Sequence, residues 1–136
     1  MNILSQLEPG NKVVMLNGEE WTFFCEVQDL LELEHSIIVC FPWNEFWKNT
    51  PEGIYRGCNI WCYDKATRGV KWIVEEPPNC IRGFSTLFPD MSIDECYMNV
   101  WYSKYDDSIA ADTSGARRFQ IDPENGKVTL IATGIR

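Results

Sequence analysis

Histidine is nearly missing from this sequence: His35 is the only one in 136 residues. No Cys-x-x-Cys pair accompanies it, which removes the usual ligand spacings of a zinc site. Of the six cysteines, Cys58 and Cys62 come nearest to such a pair. Four residues along a strand set them about 13 Å apart, too far for one metal ion. There is also no Gly-rich phosphate loop and no Gly-x-Ser-x-Gly elbow. A cysteine nucleophile with His35 as base is the one formal combination, and nothing in the spacing brings the two together. The expectation is a chain with no catalytic residue, no metal and no cofactor.

Long apolar runs are lacking as well, so no segment is expected to cross a bilayer. The start, Met1 to Glu8, lacks both the cationic lead and the apolar run of a signal peptide, which predicts a cytoplasmic protein. Its cysteines (Cys25, Cys40, Cys58, Cys62, Cys80, Cys96) then read as reduced thiols, several of them small buried hydrophobes on strands. Basic residues are few, 12 against 20 acidic ones, for a net charge of −8. That balance argues against nucleic acid and anionic membrane and favours a basic partner.

What the chain has instead is aromatic and β-forming sequence. Six Trp, five Tyr and seven Phe accompany an apolar fraction of 45%, enough for a core without staples and for one domain over residues 1–136. The strongest local signal runs from Cys58 to Glu76. Cys58, Ile60 and Cys62 alternate with Trp61 and Tyr63, so a strand covered on both faces is expected there. After Asp64 the chain turns and resumes at Val70, Trp72 and Val74, with Lys71 and Glu75 between them. The pattern repeats near the end, where Asp122, Val128 and Leu130 stand at the spacings of Asp64, Val70 and Trp72. An Asp that caps the turn and a Gly that supplies positive φ explain both copies, with Gly69 and Gly126 displaced by one residue.

Other hairpins follow from the same chemistry. Asn17-Gly18 between two apolar runs predicts strands over 11–16 and 19–28. Leu30 to Glu34 reads as either a helical turn or a strand, and Ile37 to Phe41 as a buried strand opened by a solvated His35. Tyr97 to Tyr102 is apolar on both faces and predicts a central strand. Short strands at 108–111, 117–122 and 127–132 complete the set. The fold class is all-β, with antiparallel meander hairpins forming a blade-like sheet, an open barrel or a sandwich, and little helix.

Two stretches fit no strand. Trp43 to Gly53 is too polar for a core strand and too aromatic for a plain linker, so it reads either as a contact loop or as a lid over a sheet end. Asn79 to Glu95 has no clean period, and Phe84, Leu87 and Phe88 are the residues expected to anchor it.

The Asp64 and Asp122 hairpins resemble blades of the quinoprotein-type β-propeller. From about Val13 onward the chain is similar to small bacterial proteins that share Asn59-Ile60-Trp61, Asp64, Trp72, Glu75, Pro77 and Ile121 to Glu124 with Gly126-Lys127-Val128. Some of these look like immunity proteins of contact-dependent growth inhibition and related polymorphic toxin systems. The resemblance implies a toxin inhibitor and carries over no catalytic residue. The partner is then a cognate toxin, a basic nuclease domain, blocked by occlusion. The expected face joins Trp43, Glu45 and Trp47 to Glu75, Glu76, Asp90, Asp94, Glu95, Asp106 and Asp107. A small-ligand or peptide module and a structural subunit of an assembly are the alternatives.

Overall fold

The structure is a computed structural model and describes residues 1–135. Its strands are β1 (Ser5–Leu7), β2 (Asn11–Leu16), β3 (Glu19–Val27), β4 (Asp29–Glu32), β5 (Ser36–Cys40), β6 (Ile60–Asp64), β7 (Val70–Ile73), β8 (Trp101–Ser103), β9 (Ser108–Asp112), β10 (Arg117–Ile121) and β11 (Val128–Thr133). One helix, α1 (Trp43–Asn49), lies between β5 and β6. All named pairings are antiparallel. They give a five-stranded sheet in the order β1-β4-β5-β6-β7, a four-stranded meander β11-β10-β9-β8, and the β2-β3 hairpin. The sheets are open rather than closed into a barrel.

The layering follows from the two-faced strands. On β5 and β6, Ile38, Ile60 and Cys62 pack into one core with Tyr97, Ile109, Phe119 and Ile121 of the four-stranded side. The alternate residues Ile37, Val39, Trp61 and Tyr63 pack into a second core with Trp21, Phe23 and Phe46. A strand apolar on both faces must be covered on both, and here the five-stranded sheet is the middle of three layers. Leu30 and Leu31 show the same logic: both are fully buried, one in each core, so the strand reading of this stretch holds for Leu30 to Glu32, and no helical turn forms.

The expected central strand over Tyr97 to Tyr102 is different in the structure. Only Trp101–Ser103 is regular, as the edge strand β8, while Tyr97 makes a single bridge to Thr113. Side chains satisfy the backbone before it instead. Asn59 Oδ1 accepts from Tyr97 N at 3.1 Å, Asn59 Nδ2 donates to Tyr97 O at 2.7 Å, and Asp29 Oδ2 accepts from Val100 N at 3.2 Å. Tyr97 and Val100 enter the first core, while Met98 between them stays 38% exposed.

The turn readings hold for both aspartates. Asp64 Oδ1 accepts from Ala66 N and Thr67 N at 2.8 and 2.9 Å, and Asp122 Oδ1 accepts from Glu124 N at 2.9 Å. The glycine offset has a simple cause. Positive φ falls four residues after each Asp, on Arg68 at 62° and on Gly126 at 76°, so Gly69 is not the left-handed residue in the first hairpin. The second hairpin sits on β7: Trp72 Nε1 donates to Pro123 O at 2.9 Å, and Glu75 N donates to Gly126 O at 3.0 Å. Replacing Trp72 by Phe removes that indole bond and should lower stability by about 1–2 kcal/mol in urea unfolding. Leu130, the counterpart of Trp72, has no third hairpin to cover and stays half exposed.

Candidate docking face

Pro42 ends the run of β5 and starts α1, with Phe46 N donating to Pro42 O at 2.9 Å. The stretch expected to be a loop is therefore a short helix, and the spacing of Trp43, Phe46 and Trp47 is its signature. Phe46 is fully buried, stacked on Phe41 at 5.8 Å and edge-on to Trp61 at 6.0 Å. Thr50 Oγ1 and Asn49 Nδ2 donate to the carbonyls of Phe46 and Glu45, closing the helix end. With Phe46 pinned, Trp43 and Trp47 meet edge-to-face at 5.1 Å on the neighbouring side. Trp47 Nε1 is buried with no hydrogen-bond partner among the described residues.

Beside this pair the chain from Ile81 to Glu95 doubles back as an arm. Glu95 N donates to Ile81 O, Ile93 N to Gly83 O and Ser85 N to Met91 O, all within 2.9 Å. At the tip, Ser85 Oγ accepts from Leu87 N and Phe88 N at 3.2 and 3.1 Å. Phe84, Leu87 and Phe88 do not anchor this segment, since they are 61%, 82% and 61% exposed. Arginines from elsewhere hold it. Arg56 lies 4.1 Å from the centre of the Trp47 ring, donates from Nε to Asp94 Oδ2 at 2.9 Å and reaches Ser92 Oγ at 2.6 Å. Between arm and helix lies a cleft of about 360 Å³ lined by Trp43, Trp47, Ile93, Asp94, Met98 and Ser114 among others.

The ten residues expected on one face are divided by the structure. Trp43, Trp47 and Asp94 share the cleft, and Glu45 is on the same helix, 3.9 Å from Lys48. Asp90 is exposed on the arm. Glu95 is not a surface residue: it is 1% exposed, with Arg117 Nη2 donating to its Oε1 at 2.6 Å and Arg117 Nε to its Oε2 at 3.0 Å. Asp94 keeps little free charge, because Arg56 and the Gly83 N–H share its carboxylate. Glu75 and Glu76 border a separate groove with Pro78 and Arg82, and Glu76 is paired to Arg82. Asp106 and Asp107 lie where β9 begins, at the opposite end of that strand from Ser114 and the cleft. Asp107 is engaged by the Met1 amine and by the Tyr102 hydroxyl at 2.6 Å, which hold its carboxyl below the usual range.

Cys96 lines the cleft and Cys80 lines the groove beside Glu76, while Cys25, Cys40, Cys58 and Cys62 are buried in the core. All six cysteines are free, and burial pushes Cys25 and Cys62 up to about 11 and Cys58 up to about 12, so these three are protonated thiols at neutral pH. His35 is exposed beside Glu34. No cluster of three metal-binding side chains occurs among the described residues, and no helix there is long and apolar enough to cross a membrane. Comparison with protein-family models, curated proteins and solved structures finds no significant match.

Proposed function

We propose that this chain is a stoichiometric inhibitor, an immunity protein that neutralises a cognate basic toxin of nuclease type in the cytoplasm by covering its active site or substrate groove. The observation that carries the reading is the Trp43–Trp47 pair, packed edge-to-face at a cleft on a chain of net charge −8. Pre-ordered tryptophans give contact area at little entropic cost, and surplus negative charge draws in a cationic protein over long range. Resemblance to immunity proteins through Asn59-Ile60-Trp61 and the Asp122 hairpin points the same way.

The test is to co-express the chain with the protein encoded immediately upstream and to measure growth and co-purification. The reading expects the neighbour alone to arrest growth and the pair to purify in a one-to-one complex; a harmless neighbour that does not bind would remove it. Steering by charge also sets a salt dependence. Raising ionic strength from low to physiological salt should slow association about tenfold and leave dissociation nearly unchanged.

A second reading has one observation in its favour. The cleft falls in the size range of small-molecule sites, about 300–1,000 Å³. Occupancy by a small ligand would shift Trp43 and Trp47 fluorescence and raise the melting temperature without any protein partner.

A further inference from the structure

The arm carries a run of exposed apolar side chains. Phe84, Leu87, Phe88, Met91 and Ile93 are 44–82% exposed along it, and Trp43 beside it is 43% exposed. Taking a large side chain as about 200 Å², these six leave on the order of 700 Å² of side-chain surface in water. Ordinary monomers leave patches of roughly 300–600 Å², whereas each partner in a stable protein complex buries about 800 Å². The arm with Trp43 thus has the area of one side of an interface.

Charge selects the occupant. A second copy of the chain brings another net −8 to the contact, and that repulsion opposes self-association. A cationic protein meets the opposite situation, attracted at range and desolvated at the arm. Asp94, the carboxylate that lines the cleft, is paired within the chain to Arg56. The contact itself is therefore apolar, and the free carboxylates act from its surroundings.

Building on the proposed inhibitor function, we infer that the arm tip, Leu87 and Phe88 with Phe84 and Met91 behind them, inserts into an apolar groove of the cationic partner and is the main anchor of the complex. The ladder between the arm's two limbs and the Ser85 cap hold the tip before binding, which limits the ordering cost. Arg56 ties the arm to Trp47, so arm and helix dock as one body.

The experiment uses the full chain and the protein encoded immediately upstream, with association and dissociation rates measured for wild type and for Leu87→Ala/Phe88→Ala. The two side chains are exposed, so the variant keeps the fold, which an unchanged melting temperature verifies. The expected result is a dissociation rate raised roughly 100-fold with the association rate within about threefold of wild type. A dissociation rate unchanged in a complex that wild type does form would overturn the arm as anchor and leave the inhibitor function standing. No complex with wild type at all would overturn both. Sedimentation of the chain alone supplies the other outcome: a wild-type dimer dissociated by Leu87→Glu/Phe88→Glu would make the arm a self-association surface and overturn the inference.

Discussion

Gly126→Ala should destabilise the protein by about 3 kcal/mol, read as a fall in the urea midpoint. Two costs combine. Gly126 has φ of +76°, a conformation that charges a β-carbon roughly 1–2 kcal/mol. That β-carbon would also stand 2.5 Å from Trp72 Cε3, inside a contact where the indole is 7% exposed and bonded to Pro123 O. The ring cannot retreat without losing the bond that seats the Asp122 hairpin on β7. Combining Gly126→Ala with Trp72→Leu should recover the part that comes from the clash and leave the part that comes from φ. Full additivity of the two changes would show that the ring and the glycine do not interact.

Arg68 supplies an internal control for that argument. It occupies the matching turn position at φ of +62° but has no ring behind it to forbid a side chain. Its guanidinium instead lies 4.4 Å from the centre of Trp21 and donates to Glu20 O at 2.6 Å. The sequence spacing of Asp to Val to a large apolar residue revealed the two hairpins, but it put the left-handed residue on Gly69. Glycine is the usual answer to positive φ, and nothing local announces that a cation–π contact from β3 steadies an arginine there.

The same division between local and distant causes runs through the molecule. Asn17 and Gly18 both have positive φ, so the first hairpin was written in two residues. Alternating apolar residues on Ile37 to Phe41 and Cys58 to Asp64 disclosed strands covered on both faces, because that requirement is met residue by residue. Helix α1 was hidden because it is seven residues long, and its only apolar signal, Trp43, Phe46 and Trp47, is mixed with surface positions. Asp94 and Glu95 were expected as free carboxylates on the partner-binding face. Their partners, Arg56 and Arg117, arrive from 38 and 22 residues away, and no local pattern records that pairing.

Glu95 therefore carries the second large effect. Burial alone would raise its carboxyl pKa, but hydrogen bonds from Arg117 and from the Thr113 hydroxyl outweigh it and hold the group below its usual value. Breaking a buried pair leaves the surviving charge in poor surroundings, so Glu95→Gln should cost about 3 kcal/mol. Arg117→Met should cost more. Arg117 retains 19% side-chain exposure and reaches water when abandoned, whereas Glu95 at 1% does not. Wild type and Arg117→Met differ in sign with pH. In wild type the folded pKa lies below the unfolded one, so the pair's stability is present above about pH 4.5 and is lost as pH falls through the folded value. In Arg117→Met, desolvation is opposed only by the Thr113 hydroxyl and the Ile81 N–H, and the folded pKa is expected to rise above the unfolded one. Stability then declines as pH climbs, the reverse of wild type. Urea midpoints for both proteins between pH 4 and 7 would settle it, and parallel profiles would mean that Arg117 does not govern Glu95. Because Glu95 closes the base of the arm at Ile81 and the β9-β10 turn at Thr113, the Arg117 variant should also admit protease at the arm before the core unfolds.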